Sequence, residues 1–356
     1  MATPELPQLY IVAHNRNHVS IFTEMARLLR QRGHAVTFVV VEGNPDHAAA
    51  EKALGEIGFA YIQSAALLSR ASARDVVCVG NDWGPKHFIR KLESLRKRRV
   101  PIIGIVEGAR FAYPRHWERV EDLLVWGQSG VDTLPGRKHI VGSPAIEKAL
   151  NPERASPQRA RVLINYKFMK GAKDQGPVWA RACADAAASV DPDYVICAHP
   201  FNVAELGGLN LSHEPFSKLL KSATLLVTRS STVIYEALAS GVSVIYYPLA
   251  DERRAEFGEP MGAFDTANNP VELNDLVRAH GADPSFDAAA AKTFLDRHVS
   301  IDPARSAPER MADFIAAKLH ERTSIDPQSV PGSKQGLRDL LAKLPFRLGG
   351  ERSSAS

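Results

Sequence analysis

Short apolar runs and amphipathic stretches alternate along almost the whole chain, and this alternation restricts its fold more than any other feature. Residues 9–13, 76–80 and 225–227 are apolar runs of strand length, whereas residues 20–31 and 232–240 have the apolar spacing of helices. Such alternation is typical of α/β folding around parallel sheets, whose strands are buried on both faces. We therefore predict an α/β protein built of doubly wound, Rossmann-like sheets.

The chain of 356 residues is long enough for two domains of ordinary size. The alternation stops at residues 151–159, where Pro152, Pro157 and several charges are typical of a linker. It restarts at residue 162. We predict a first domain at residues 1–150, a second domain at residues 151–322, and a linker with a basic tail at residues 323–356.

Composition excludes several classes of protein. The net charge is only +4, too small for a chain of this size to indicate nucleic-acid binding. The cysteines, Cys78, Cys183 and Cys197, form no C-x-x-C pair, which argues against a disulfide framework and a structural zinc site. Residues 1–7 are polar and unlike a signal peptide, and no apolar run is long enough to span a bilayer. These features favour a cytoplasmic protein.

Polar residues follow six of the predicted strands. In open parallel sheets, ligands bind beyond the carboxyl ends of the strands, so these six loops are the candidate site. If the carboxyl edges of the two domains face each other, the loops line one cleft, although any single loop has an ordinary turn as its alternative. The six loops are His14-Asn15-Arg16-Asn17-His18, Asn81-Asp82-Trp83-Gly84, Glu107-Gly108-Ala109-Arg110, Asn165-Tyr166-Lys167, His199-Pro200 and Thr228-Arg229-Ser230-Ser231-Thr232.

The last of these loops is the most informative. A strand enters a turn with three hydroxyl residues beside a cation, and a helix follows; the residues are Arg229, Ser230, Ser231 and Thr232. The first turn of a helix has unpaired N–H groups and a partial positive charge, so the combination suits a phosphate or diphosphate. The alternative is a serine that only caps the helix. Glu236, one turn further on, would reach a ribose hydroxyl or else face solvent.

Four other loops supply candidate acids, bases and ligands. Glu107 follows a buried strand, and a partly desolvated carboxylate there can act as a general base, although it could equally cap a helix or pair with Arg110. His18 and Asp82 are rival bases. Proline after a histidine ends a strand and fixes the imidazole at the sheet edge, so His199 is either a ligand of the phosphate or base, or a structural residue.

Three short motifs occur in an order that resembles bacterial sialyltransferases and capsule-type Kdo transferases. Those enzymes use CMP-activated sugars on a GT-B fold, and their motifs are acidic-acidic-Gly, His-Pro and Ser-Ser/Thr. In this chain the first motif has one acidic residue. By this resemblance Glu107 would be the base, His199 would contact the CMP moiety, and Ser230 with Ser231 would hold its phosphate. The motifs stand here as Glu107-Gly108, His199-Pro200 and Ser230-Ser231.

Two other families share parts of the sequence. Residues 230–236, with Tyr246-Tyr247-Pro248, resemble CDP-glycerol glycerophosphotransferases. Those enzymes usually have an Asp-Tyr pair before the two serines, where this chain has Thr228-Arg229, and a Trp-His-Gly motif, which is missing here. Residues 141–144, Val-Gly-Ser-Pro, resemble a turn of UDP-N-acetylglucosamine 2-epimerases and of many GT-B enzymes. The second resemblance supports the fold more than an activity.

The tail combines basic and apolar residues. Leucines at positions 337, 340, 341 and 344 have helical spacing, and lysines and arginines stand between them. This pattern suits contact with an anionic membrane surface at residues 334–348. A disordered basic tail or a helix docked on the body are the alternatives, and the basic stretch at residues 86–99 could add to the same surface.

The leading functional hypothesis is a metal-independent glycosyltransferase with a nucleotide sugar as co-substrate and no other cofactor. The donor would be of the CMP-sialic acid or CMP-Kdo type, and the acceptor a surface polysaccharide or lipid-linked glycan. The alternatives are a UDP-sugar 2-epimerase-like isomerase, a glycerophosphotransferase-like enzyme and an inactive GT-B scaffold. The site residues would be Glu107, His18 and Asp82 for catalysis; His199, Pro200, Arg229, Ser230, Ser231, Thr232, Glu236 and Lys167 for the donor; and Asn15, Arg16 and Arg110 for the acceptor.

Overall fold

A computed structural model of the chain describes residues 6–44, 46–81, 84–108, 117–150, 161–166, 175–198, 206–249 and 257–325. The first sheet has seven strands. They are β1 (Gln8–Ala13), β2 (Ala35–Val40), β3 (Tyr61–Gln63), β4 (Val76–Val79), β5 (Ile102–Ile105), β6 (Asp122–Val125) and β7 (Arg137–Ile140). The helices between and after them are α1 (Arg16–Gln31), α2 (His47–Glu56), α3 (Ser64–Arg70), α4 (Lys86–Lys97), α5 (Gln128–Thr133) and α6 (Pro144–Ala149).

The second sheet has six strands, and every neighbouring pair in it is parallel. The strands are β8 (Val162–Tyr166), β9 (Val195–Ala198), β10 (Leu211–Ser212), β11 (Leu225–Thr228), β12 (Ser243–Tyr246) and β13 (Asp265–Thr266). The helices are α7 (Gln175–Ala188), α8 (Phe216–Leu220), α9 (Val233–Ala239), α10 (Pro270–Ala282), α11 (Ala288–His298) and α12 (Ala307–Thr323).

Both sheets are doubly wound, as predicted. The strand orders are β3-β2-β1-β4-β5-β6-β7 and β10-β9-β8-β11-β12-β13. In each sheet, the first three strands in chain order are added in one direction from the first strand. The chain then returns to the other side of that first strand and adds the remaining strands in the opposite direction. The winding therefore reverses between β1 and β4 and between β8 and β11, which are parallel neighbours. Ligands of such sheets bind at the carboxyl ends of these central strands.

The chain divides into two compact units. Unit 1 holds the described residues within Met1–Ile105, Arg115–Leu123 and Met311–Ser356, and unit 2 holds those within Val106–Pro114 and Leu124–Arg310. The predicted domain boundaries near residues 150 and 322 stay predictions, since residues 151–160 and 326–356 lie outside the described part of the chain. Among the described residues, no helix is long and apolar enough to cross a membrane.

Helix α1 begins four residues earlier than its apolar spacing predicts. The side chain of Asn15 accepts a hydrogen bond from the backbone N–H of His18 at 2.9 Å, which satisfies one of the unpaired donors of the first turn. Because of this cap, the helix starts at Arg16 rather than at Ser20. Helices α2, α3, α10 and α11 were not recognised from the sequence.

The second sheet is covered by apolar side chains on both faces. On one face Tyr235 of α9 stacks on Phe294 of α11 with ring centroids 5.6 Å apart, and it also lies near Trp126. On the other face Trp179 of α7 packs beside Tyr247, to whose carbonyl its indole N–H donates at 2.8 Å. Burial on both faces explains why these strands read as continuous apolar runs.

Gly104 in β5 lies where any side chain would overpack unit 1. A Cβ atom there would lie 2.6 Å from Cδ2 of Leu123 and 2.7 Å from the ring of Trp117. We expect Gly104→Ala to lower the free energy of unfolding by about 1–3 kcal/mol, measured by urea denaturation. Gly55→Ala in α2 is the control, because a Cβ there meets no atom within 4 Å and alanine favours a helix. Equal stability of the two variants would contradict the close packing at Gly104.

Candidate functional site

Two buried histidines lie at the winding reversal of unit 1. The backbone N–H of His14, directly after β1, donates to Nδ1 of His18 at 3.3 Å, and the two rings meet edge to face with centroids 5.4 Å apart. His14 and His18 are 2% and 0% exposed. Because Nδ1 of His18 accepts this bond, the proton of its neutral ring belongs on Nε2.

Burial keeps both imidazoles neutral. It lowers the pKa of His14 to about 4, and burial together with the nearby His14 lowers the pKa of His18 well below its usual value. A neutral imidazole has the protonation state of a general base. His18 nevertheless has its Nδ1 lone pair engaged and no exposed surface, so this arrangement does not present a free base to a substrate.

Two glycines of the loop after β4 make room for these rings. A Cβ on Gly80 would lie 2.6 Å from Cε1 of His18, and one on Gly84 would lie 3.1 Å from Cε1 of His14. Gly84 also has a φ of 150°, which disfavours other residues. Between them, Asn81 is 7% exposed, and its amide oxygen has no hydrogen-bond partner among the described residues. The sequence prediction did not include Asn81 as a site residue.

The two described acceptor-side candidates occupy the start of α1. Asn15 uses its side-chain oxygen to cap the helix, and Arg16 is the first helical residue and is exposed. The cap is the structural role that Asn most often has at this position. An acceptor contact by either residue stays a prediction.

Glu107 follows β5, and its carboxyl has an altered proton affinity. The backbone N–H of Val106 donates to the carbonyl of Leu124, which fixes this strand end against β6. Burial raises the pKa of Glu107 to about 7. A carboxyl that is half ionised near neutral pH can take and return a proton with little energetic cost, which is the property required of a general base.

The turn between β11 and α9 brings hydroxyl groups to the winding reversal of unit 2. The amide of Asn165, in β8, donates to Oγ1 of Thr228 at 2.9 Å, so side chains of the two central strands touch. Oγ of Ser230 shares a hydrogen bond with the hydroxyl of Tyr246 at 2.7 Å. Ser231 accepts a long bond of 3.4 Å from the N–H of Val233, and Thr232 makes no side-chain cap.

The guanidinium of Arg229 lies beside an aromatic ring. Its guanidinium carbon is 5.8 Å from the centroid of Trp179, on the α7 face of the sheet, and the residue is 1% exposed. Ser230 faces Tyr246 on the α9 face instead. A joint phosphate contact by Arg229 and the serines stays a prediction.

Glu236 lines a cavity of about 240 Å³ within unit 2. Helices α6, α8 and α9 form the walls, and Oγ of Ser240 donates to the carbonyl of Ala149 at 2.9 Å beside it. Burial raises the pKa of Glu236 to about 7, and its carboxyl has no hydrogen bond or ion pair with the residues that the structure describes. The lining residues are Ala145, Lys148, Ala149, Leu150, Ser217, Leu220, Lys221, Glu236 and Ser240.

The cavity differs from the sequence prediction in two ways. Lys148 and Lys221 were not predicted as site residues, because a lysine on a short helix has no distinctive sequence signal. Ser230 and Ser231 were predicted to share a donor site with Glu236, but they do not line this cavity, although they directly precede the helix that bears Glu236.

Five predicted site residues lie outside the described part of the chain. They are Asp82, Arg110, Lys167, His199 and Pro200. Their roles stay predictions.

An Asp-x-Asp sequence occurs at residues 191–193 of the chain. Asp191, in Asp191-Pro192-Asp193, accepts the backbone N–H of Val162 at 2.8 Å, and Asp193 lies 3.5 Å from the guanidinium of Arg161. These contacts are at the amino end of β9, away from the carboxyl edge. Within the described ranges, no three His, Cys, Asp or Glu side chains converge to hold a metal ion.

Comparison with known proteins identifies the fold. No protein-family model and no curated protein matches the sequence. Among solved structures, MurG of Acinetobacter baumannii is similar with a TM-score of 0.59 and 16% identity, over 87% of this chain and 99% of that one. The glycosyltransferase VinC in complex with dTDP gives 0.58 and 16%, over 88% and 100%. A putative UDP-N-acetylglucosamine 2-epimerase of Listeria monocytogenes gives 0.59 and 14%, over 91% and 98%. The chain has the GT-B fold, as predicted.

The raised pKa of Glu236 leads to a prediction about stability. Its folded pKa of about 7 lies above the ordinary glutamate value of 4.5, so the folded state favours the protonated form. The resulting stabilisation is complete below about pH 4.5 and is lost as the pH rises through about 7. We expect Glu236→Gln to remove this pH dependence, which amounts to about 3 kcal/mol at most.

Urea denaturation between pH 4.5 and 8 measures this difference. The control is the same substitution at an exposed glutamate outside the cavity, Glu118→Gln. A difference in the free energy of unfolding between wild type and Glu236→Gln that stays constant across this pH range would contradict a buried carboxyl with a raised pKa.

Proposed function

We propose that the protein is a glycosyltransferase that transfers a sugar from a nucleotide-activated donor. The position of Glu236 supports this proposal most directly. Glu236 lies on α9, the helix that follows the serine turn, and its carboxyl lines a cavity. The fold alone does not determine chemistry, so the proposal depends on these residues and not only on the structural similarity.

The donor's nucleotide would bind in unit 2. A carboxylate can accept two hydrogen bonds from the neighbouring 2′- and 3′-hydroxyls of a ribose, which suits Glu236 in its ionised form. The donor's phosphate would then lie toward the turn, where the hydroxyls of Ser230 and Ser231 can donate to its oxygens. Ser230 would exchange its bond with Tyr246 for one with the phosphate.

Glu107 would act as the general base of the transfer. The acceptor hydroxyl gives its proton to the carboxylate of Glu107 while its oxygen bonds to the anomeric carbon of the sugar. The bond from that carbon to the phosphate oxygen breaks, and its electron pair leaves with the nucleotide. The pKa of Glu107, near 7, suits this role better than the buried and already hydrogen-bonded His18 does.

The proposal for the finer identity of the substrates is based on the sequence motifs. The order of Glu107-Gly108, His199-Pro200 and Ser230-Ser231 supports a CMP-activated donor of the sialic acid or Kdo type. A surface polysaccharide or a lipid-linked glycan is the proposed acceptor.

An isomerase of the 2-epimerase type is the second candidate. The similarity of the putative UDP-N-acetylglucosamine 2-epimerase over 91% of this chain favours it. Such an enzyme would convert a UDP-sugar without any acceptor. Proton NMR of UDP-N-acetylglucosamine incubated with the protein would separate the two, since formation of a new anomeric signal without acceptor supports only the isomerase.

The Glu236 cavity predicts that ribonucleotides bind more tightly than deoxyribonucleotides. Loss of the 2′-hydroxyl removes a hydrogen bond to a charged group, which is worth about 1.5–3 kcal/mol, or roughly 10- to 100-fold in affinity. Calorimetric titration with CMP and dCMP at pH 8 measures this ratio, and Glu236→Gln should reduce it to near unity.

Titration with CMP, CDP, UDP, GDP and dTDP in the same assay identifies which base and how many phosphates the protein prefers. Stabilisation by UDP without any by CMP would contradict the cytidine assignment. Equal affinity for CMP and dCMP would contradict ribose recognition by Glu236.

Removal of the proposed base should impair transfer and spare donor binding. We expect Glu107→Gln to lower kcat about 10²- to 10⁴-fold, because the acceptor hydroxyl then has no group to take its proton. The wild-type rate should rise with pH through an apparent pKa near 7 and lose this limb in the variant. The Kd for CMP should stay within a factor of two to three of the wild-type value, because binding of CMP transfers no proton to Glu107. Near-normal turnover would exclude Glu107 as the base.

A further inference from the structure

The outward face of α4 is a line of exposed cations. Residues 86–99 include seven lysines and arginines but a single acidic residue, Glu93. Lys86, Arg90 and Lys97 are all exposed and are four and seven residues apart, so they lie on one side of the helix. We call these three residues the α4 basic face. Over the helix of 12 residues they extend along about 18 Å.

The charges of the α4 basic face are not neutralised within unit 1. None of its three side chains has a hydrogen bond or an ion pair with any residue that the structure describes. Glu93 lies on the same side of α4, but its carboxylate is 3.2 Å from the guanidinium of Arg119. The only acid of the helix is therefore compensated by another cation, and the face keeps its positive charge.

The cationic surface continues around the carboxyl end of α4. Arg98 donates to the carbonyls of Leu68 and Ala71, which joins this end to the end of α3. Arg322 of α12 donates to the carbonyl of Arg99 at 2.7 Å, which brings the last described residues of the chain to the same corner. The chain continues from there into a segment with four further cations. They are Lys334, Arg338, Lys343 and Arg347.

The composition of the face indicates what kind of partner it fits. Three apolar residues of α4, Phe88, Leu92 and Leu95, are fully buried, and Ile89 is half-buried. None of the three residues of the α4 basic face carries an aromatic ring on which a nucleic-acid base could stack. The face also lacks the exposed aromatic and apolar anchors of a typical protein–protein interface. A row of long, unpaired cations with no apolar anchor suits a flat surface of negative charge.

We propose that the α4 basic face docks on an anionic phospholipid bilayer through the phosphates of its headgroups. The contact is electrostatic and reversible, since α4 has no exposed apolar residue that could insert. The inference does not depend on the proposed glycosyl transfer.

Vesicle co-sedimentation of the full chain tests this docking. Wild-type protein should bind vesicles of phosphatidylcholine with phosphatidylglycerol, should not bind phosphatidylcholine alone, and should dissociate as salt is added. Each cation near the surface contributes roughly fivefold, so Lys86→Gln, Arg90→Gln and Lys97→Gln together should weaken binding about a hundredfold. The matched control removes three exposed cations of unit 2, Arg181→Gln, Arg278→Gln and Lys292→Gln, and should change binding less than tenfold.

Several results would overturn the proposal. Binding to neutral vesicles, no binding to anionic ones, or equal loss in the two triple variants would each contradict docking through α4. Amine-reactive labelling provides a second measurement that is independent of mutagenesis. Anionic vesicles should protect Lys86 and Lys97, added salt should remove that protection, and unchanged labelling of both lysines would exclude the contact.

Discussion

The parallel pairings of β1 with β4 and of β8 with β11 are the constraint on which both candidate ligand regions depend. These strands are buried on both faces, so polar side chains are tolerated only where the strands end. The winding reverses at the same two places, which is where ligands of such sheets bind. His14 and Asn81 follow one pair of strands, and Asn165 and Ser230 lie at the end of the other.

Desolvation acts on the ionisable groups of these regions in opposite directions. It lowers the pKa of His14 and His18 because the charged form of an imidazole is the protonated one. It raises the pKa of Glu107 and Glu236 to about 7 because the charged form of a carboxyl is the deprotonated one. Desolvation thus leaves both histidines neutral, and it makes the ionisation of both carboxyls sensitive to small changes in pH near neutrality.

Three arginines of unit 1 both stabilise helix ends and add positive charge to the surface. Arg74, Arg98 and Arg322 donate to backbone carbonyls where helices α3, α4 and α12 end, and such carbonyls otherwise lack partners. Each guanidinium stabilises a helix end and adds positive charge to the adjacent surface. The positive surface beside α4 is therefore partly a product of how this edge of the unit satisfies its own backbone.

The sequence alone determined the α/β class, the doubly wound sheets and the strand ends at which Glu107, His18 and Ser230 lie, because burial on both faces makes the strands continuous apolar runs. It did not determine where side chains point beyond those ends. Asn15 proved to cap α1, and the guanidinium of Arg229 proved to lie beside the ring of Trp179. Helices α2, α3, α10 and α11, and the contribution of Lys148 and Lys221 to the Glu236 cavity, also became visible only in the tertiary structure. The physical reason is that strand burial is a local, periodic property, whereas the walls of a cavity come from segments far apart in the chain and depend on how whole helices pack.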